Sequence, residues 1–276
     1  FGYLTEGCVL YHAIGKPNKV DAMNHALSIF SREAISDLAL ITNTHSKNSD
    51  LWESHVGQIN KYMSQPHYFF TNKSPETDLG VKVVTYSEED KFRTQFLKCL
   101  GSVEEEYCLY LNEDYLLYEA PDLVRLQEYV NVLKSNESLS FIRLAKGIDH
   151  FNIPYSPTLQ YLDCRNPYFF SQTASLWRTS HLQAIHQHGP DLHIAGHNMD
   201  QQFETAATDV CRSLGIQGLY HHDEEPKRGM HHYDSKVFPY IASALVKGDW
   251  CSEYKEELQP LLKSYKVKES ARGWSS

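Results

Sequence analysis

Apolar and polar positions alternate in two different rhythms along this chain. Short apolar runs end in polar, Asn-containing loops. Cys8 to Ile14 precedes Gly15-Lys16-Pro17-Asn18, Leu38 to Thr42 precedes Asn43-Thr44-His45, and Tyr68 to Thr71 precedes Asn72-Lys73. Val81 to Tyr86 is β-branched, and Tyr107 to Leu111 leads into Asn112-Glu113-Asp114. Runs this short, bounded by turn residues, predict strands. Between them the apolar residues recur at helical spacing: Val20, Met23, Leu27 and Phe30, then Leu51, Val56, Ile59 and Met63, then Phe92, Phe96, Leu97, Leu100 and Val103. Strands alternating with helices predict βαβ units and a largely parallel sheet. In such sheets ligands sit beyond the carboxyl ends of the strands, so the polar loops just named are where chemistry is expected.

Beyond Glu119 the pattern predicts a helix from Pro121 to Lys134 and a strand near Ser140 to Leu144. An aromatic, Pro-containing stretch follows from His150 to Phe170, and a strand turns into a helix between Gln172 and Ile185. Met199 to Leu214 reads as a helix stopped by Gly215, and His221 to Asp234 as a polar loop. Phe238 to Val246 and Tyr254 to Tyr265 read as closing helices. No repeat, low-complexity tract or linker interrupts this order. The expectation is one α/β domain over residues 1–276, with a mostly parallel central sheet flanked by helices and a helical C-terminal tail.

Composition narrows the classes. With 41% hydrophobic and 22% charged residues the chain is no disordered polymer. Its longest uncharged apolar run, Tyr240 to Val246, falls far short of the ~18–20 residues of a membrane-spanning helix. A net charge of −9 argues against a nucleic-acid partner. Nine acids against three bases lie between Ser87 and Glu119, and the first six of those acids read as solvated faces. The six cysteines form no C-x-x-C pair and predict reduced, buried thiols in a cytoplasmic protein. The start at Phe1, without a basic-then-apolar leader, reads as a trimmed chain. Of the fifteen histidines, His181, His186, His188, His193 and His197 show no metal-ligand spacing and read as surface and loop residues.

Asn112-Glu113-Asp114 carries the most chemical information. Two adjacent carboxylates sit between apolar runs on both sides, which is costly unless they pair or meet a cation. A hard cation such as Mg²⁺ or Mn²⁺ takes one or two carboxylates plus substrate phosphates. The alternative is an acidic surface turn.

The order of elements, with EDKFRTQFLKCLGSVEEEYCLYLNED at its centre, resembles glycosyltransferases of the GT-A fold, family-2-like and of the bacterial surface-polysaccharide type. That resemblance implies a Rossmann-like domain with a nucleotide-sugar-binding half (1–119), an acceptor half (120–250) and a C-terminal helix and tail (251–276). It places Asn112, Glu113 and Asp114 at an Asp-x-Asp-type motif, with Asn112 in place of the first aspartate and Asp114 on the metal. Lys16 and Asn43 would join them on the nucleotide-sugar. His231 or His232 would supply a late metal or diphosphate contact. Gln172, Trp177 and Arg178 would face the acceptor, although Trp177 is equally a candidate for the core. The general base would be Glu204 or Asp200, four residues apart on one helix face. The implied activity is transfer of a sugar from a nucleotide-sugar donor to a glycan or lipid-linked acceptor, assisted by Mn²⁺ or Mg²⁺. A metal-dependent hydrolase and a non-catalytic carbohydrate-binding protein are the alternatives.

Overall fold

A computed structural model describes residues 34–147, 153–189, 199–228 and 232–275, without the side chains of 199–202 and 232. The strand expected at Cys8 to Ile14, the helix at Val20 to Phe30 and the loop with Lys16 lie outside the described residues.

The first described strand, β1 (Leu38–Asn43), turns Leu38 and Leu40 to one face and Ala39 and Ile41 to the other. All four are buried, so both faces of the sheet must be covered. The helices α1 (Trp52–Tyr62), α2 (Phe92–Leu100), α3 (Leu123–Ser135), α4 (Thr179–His188) and α5 (Met199–Ser213) do this. Ile59 of α1 and Leu126, Val130 and Leu133 of α3 cover one face. Phe96 and Leu100 of α2, Leu182 and Ile185 of α4, and Phe203 and Val210 of α5 cover the other.

Local sequence sets the helix ends. The Asp122 carboxylate accepts the Arg125 N–H and caps α3. At the end of α5, Gly215 adopts φ +65°, and the Ile216 N–H turns back to the Cys211 carbonyl at 2.9 Å. Only glycine takes that left-handed position at no steric cost.

The main sheet has eight strands. Besides β1 they are β2 (His67–Thr71), β3 (Lys82–Thr85), β4 (Tyr107–Asn112), β6 (Leu139–Arg143), β7 (Leu159–Tyr161), β8 (Ser175–Arg178) and β9 (Gln217–His221), in the order β3-β2-β1-β4-β8-β6-β9-β7. β1 pairs in parallel with β2 and β4, β2 with β3, and β6 with β9. β8 runs antiparallel between β4 and β6, and β7 closes the edge antiparallel to β9. The fold is thus mixed α/β, with a large central sheet of mostly parallel strands flanked by helices. The chain walks outward from β1 through β2 to β3, then crosses back to β4 on the other side of β1. In open α/β sheets such a reversal is where a ligand is expected, here beyond the ends of β1 and β4.

Two expected elements differ, and one is the polar loop from His221 to Asp234, which contains the antiparallel pair β10 (Lys227–Arg228) and β11 (His232–Tyr233). Phe238 to Val246 is not helical. β12 (Tyr240–Ile241) pairs with β5 (Leu116–Leu117), and β13 (Leu245–Val246) pairs with β14 (Asp249–Trp250). Lys247 at φ +54° and Gly248 at φ +93° form the two-residue turn between β13 and β14. Two consecutive positive φ values suit a tight hairpin and end any helix there. The closing helix α6 (Lys255–Ser264) forms as expected, packing Tyr254, Leu258 and Leu261 on Leu116 and Ile241.

Candidate active site

β1 and β4 end side by side, with Asn43 opposite Asn112 in the parallel register. This places two of the expected residues at the switch point of the sheet. Asn112 is held on both sides of its amide: its Oδ1 accepts the Tyr110 hydroxyl at 3.1 Å, and its Nδ2 donates to the Tyr115 hydroxyl at 3.3 Å. The Tyr115 hydroxyl in turn donates to the carbonyl of Gln172. The Gln172 N–H donates to Glu204 Oε1 at 2.7 Å. One hydrogen-bonded path therefore joins the motif after β4, the loop before β8, and the carboxylate on α5.

Glu113 and Asp114 part company at the chain's next step. Glu113 is buried and accepts the Asn48 side-chain amide at 2.5 Å. Burial, with the adjacent Asp114 carboxylate, pushes its carboxyl up to about 8. Asp114 is half-buried and accepts the Ser243 hydroxyl at 3.0 Å. Asn48 also accepts Arg272 at 3.5 Å, while Arg272 forks onto Asp50 at 2.8 and 3.0 Å. The C-terminal segment is thereby tied to the loop after β1.

A neutral histidine pair supports this floor. Thr42 Oγ1 lies 2.8 Å from His55 Nε2 and 2.8 Å from His67 Nε2, and His55 Nδ1 lies 3.0 Å from the Tyr115 carbonyl. A carbonyl only accepts, so His55 donates from Nδ1 and accepts the Thr42 hydroxyl at Nε2. His67 then donates to Thr42. Burial lowers His55 to about 4 and His67 to about 3, which keeps both uncharged at neutral pH. At the rim, His45 accepts the Lys47 N–H at Nδ1 and donates from Nε2 to Glu88 at 2.9 Å. Asn72, at the end of β2, holds Ser46 at 2.8 Å.

The structure brings Asn43, Asn112, Glu113, Asp114, Gln172 and Glu204 to this edge. Gln172 takes part through its backbone, where the sequence suggested its side chain. Trp177 and Arg178 are elsewhere, for one reason: β8 is antiparallel to β4. Arg178 pairs with Tyr107, the first residue of β4, five residues and about 17 Å from Asn112. Its guanidinium donates to the Leu139 carbonyl at 3.0 Å and the Tyr107 hydroxyl at 2.9 Å, and also to the Leu133 carbonyl at the end of α3. Trp177 is 1% exposed and stacks on Phe141 with centroids 4.2 Å apart, so it offers no face to a sugar ring.

His186, read as a surface residue, is also core: it is 2% exposed, 4.3 Å from the Phe96 ring and 5.2 Å from that of Phe203. Its helical spacing from Leu182 already put it on the apolar face of α4. Lys16 and His231 lie outside the described residues, as do the side chains of Asp200 and His232. Among the described residues no three His, Cys, Asp or Glu side chains gather as a metal cluster.

No protein-family model matches the chain, and no curated protein sequence does. Solved structures do. A structure of residues 1–349 of S. aureus TarS is 13% identical with a TM-score of 0.44, covering 85% of this chain and 67% of that one. A second TarS structure is 14% identical at 0.44, covering 85% of this chain and 41% of that one. Mannosyltransferase PcManGT from Pyrobaculum calidifontis, in complex with GDP-Man and Mn²⁺, is 12% identical at 0.41, covering 82% and 65%.

Sequence reasoning missed Tyr110, Tyr115 and Asn48. Tyr115 stands in an apolar run that any buried strand could show. Its role depends on Gln172, 57 residues later.

Proposed function

We propose that this chain is a glycosyltransferase that moves a sugar from a nucleotide-sugar to a hydroxyl acceptor. The observation that carries the reading is the path Asn112–Tyr115–Gln172–Glu204, which sets a half-buried carboxylate beside a doubly acidic strand end at the switch point. Such a carboxylate suits a general base, which needs reach to the acceptor hydroxyl and a proton-accepting oxygen. Glu204 is assigned that role, and Asp200 is the second candidate. Asn43 and Asn112 offer amides to ribose or sugar hydroxyls.

The donor set beside them fits a hard divalent cation. Asp114 presents a half-buried carboxylate, and the adjacent Glu113 carboxyl is raised first by burial and then by the Asp114 charge. Asp114 would hold Mn²⁺ or Mg²⁺, with His231 or His232 as further candidates. Such an ion supplies charge neutralisation at the leaving diphosphate. The acceptor is read as a glycan or lipid-linked hydroxyl. The five described cysteines are free thiols, which supports the cytoplasmic reading. No helix among the described residues is long and apolar enough to cross a membrane.

Calorimetry with UDP and GDP, with and without Mn²⁺, tests the assignment. The expected result is Mn²⁺-dependent binding of a nucleoside diphosphate that Asp114→Asn abolishes while the far-ultraviolet spectrum stays unchanged. No binding of either nucleotide to the folded protein, or full binding by the variant, overturns the donor site as drawn.

A further inference from the structure

Three hydrogen bonds hold residues 269–275 beside β14. The Trp250 N–H donates to the Gly273 carbonyl at 2.8 Å, the Ser275 N–H donates to the Trp250 carbonyl at 2.8 Å, and the Trp250 indole donates to the Glu269 carbonyl at 2.9 Å. Arg272, within this segment, lies over the Trp250 ring at 5.6 Å and donates to the Gly248 carbonyl at 3.1 Å. Its Nε and Nη2 reach the loop after β1 and fork onto Asp50 at 3.0 and 2.8 Å. Nη2 directs its second hydrogen to Asn48 Oδ1 at 3.5 Å.

At Asn48 the contact becomes directional. An asparagine amide has a donor end and an acceptor end, whereas a guanidinium only donates. Arg272 can therefore face only Oδ1, which leaves Nδ2 toward Glu113, where it donates to Oε1 at 2.5 Å. Turned the other way, the amide would set its oxygen against a buried carboxyl and its N–H groups against a cation. The short 3-10 turn Ser46–Leu51 breaks from helical geometry at this same residue, with φ −109° and ψ 25°.

The neighbouring acid is held from the same stretch of chain. The Ala244 N–H donates to the Asp114 carbonyl at 3.0 Å, and the Ser243 hydroxyl donates to Asp114 Oδ2 at 3.0 Å. The Cys251 N–H, next to Trp250, donates to the Ala244 carbonyl at 2.9 Å. Residues 243–275 thus carry a hold on each acid of the motif: Ser243 on Asp114, and Arg272 on Glu113 through Asn48.

We propose that Arg272 is a positioning residue for the acidic motif: it fixes the Asn48 amide, which fixes Glu113 and with it the turn that presents Asp114. The relay stands on the hydrogen-bonded contacts alone, while its catalytic meaning rests on the reading of Asp114 as the metal-binding residue. Partners that orient metal-binding carboxylates are worth about 10–100-fold in metal affinity.

The test reads the Asn48 side-chain amide by ¹H–¹⁵N NMR of the full chain, its signal assigned by its loss in Asn48→Ser. In the wild type one amide hydrogen, bonded to Glu113, is expected downfield of the free asparagine amides. Arg272→Lys keeps the charge that pairs with Asp50 but lacks the planar fork that serves Asp50 and Asn48 together. In this variant the Asn48 signal is expected to move to the free-amide position. Affinity for UDP or GDP with Mn²⁺, by calorimetry, should fall about 10–100-fold. An Asn48 signal that stays in its wild-type place overturns the relay, and a moved signal with unchanged nucleotide affinity overturns its role at the motif. If Arg272→Lys does not fold, Arg272→Met decides by the same two readings. A wild-type protein that binds neither nucleotide removes the donor-site reading instead, and the Asn48 signal still decides the relay.

Discussion

Glu204 has to do two things with one carboxylate. An ionised carboxylate offers about four lone-pair sites, and the Gln172 N–H occupies one of them. The group can therefore be oriented by the backbone and still accept a proton. Glu204→Gln separates the two functions, since the amide oxygen can keep the Gln172 contact while the basic oxygen is lost. A base acts in the transition state and adds little to donor binding. The expected result is a loss in kcat on the order of 10²–10⁴-fold with nucleotide-sugar affinity nearly unchanged, checked by product-formation kinetics beside calorimetry. Full turnover in the variant would move the base to Asp200 or off this helix. Asn112 shows the same economy: both ends of its amide are engaged by tyrosines, so the first position of the motif is fixed before any ligand arrives.

At the scale of elements, the packing between β6, β8 and β9 leaves little slack. A Cβ on Gly218 of β9 would come within 2.3 Å of the Phe141 ring, which is itself stacked on Trp177. Gly218→Ala should destabilise by about 1–3 kcal/mol through overpacking, read from urea unfolding, whereas an unchanged midpoint would show that the Phe141 ring can shift. Strand and helix order was legible in the sequence because each element carries its own period: β1, β2, β4, β6 and α1 to α5 stand within a few residues of where the apolar spacing put them. Strand direction was not legible. An apolar run such as Ser175-Leu176-Trp177-Arg178 reads the same for parallel and antiparallel neighbours, and only its pairing with β4 and β6 sends Arg178 away from the site. The hairpin at Lys247-Gly248 was hidden for a related reason, since the uncharged run Tyr240 to Val246 before it suits a helix as well as two short strands. Of the site, the acidic positions stood out because carboxylates are costly among apolar neighbours. Tyr115 and the backbone of Gln172 gave no such signal, because their importance arises only from contacts distant in sequence.

Across the whole molecule, buried titratable groups give the stability a defined pH profile. His55, His67 and His186 have folded values of about 4, 3 and 3 against 6.5 for an unperturbed histidine. Below pH 6.5 the unfolded chain binds protons that the folded chain refuses, so stability falls on acidification, on the order of 1–3 kcal/mol per histidine by the acid end. Glu113 acts with the opposite slope. Its folded value of about 8 lies above the ordinary 4.5, so stability it contributes at low pH is lost as pH rises through 8. Among the described residues His181 and His222 are lowered too, so the histidines outweigh Glu113 and put the maximum near pH 6.5. His186→Phe keeps the aromatic stack with Phe96 and Phe203 and removes one titrating ring, so urea unfolding between pH 6.5 and 4 should show a shallower acid limb. An unchanged limb would mean that His186 does not stay neutral.

The reversed strand β8 also has a consequence for the order of assembly. β1 to β4 are built from neighbouring stretches of chain, but β8 has no place until both β4 and β6 offer it an edge. Closing long loops before they are rewarded is slow. The loop that carries Gln172 to Glu204 therefore comes into position late, and until it does β4 presents an unpaired edge of the kind that invites association between chains. The same strand that completes the candidate active site also covers the edge that β4 would otherwise present to other chains.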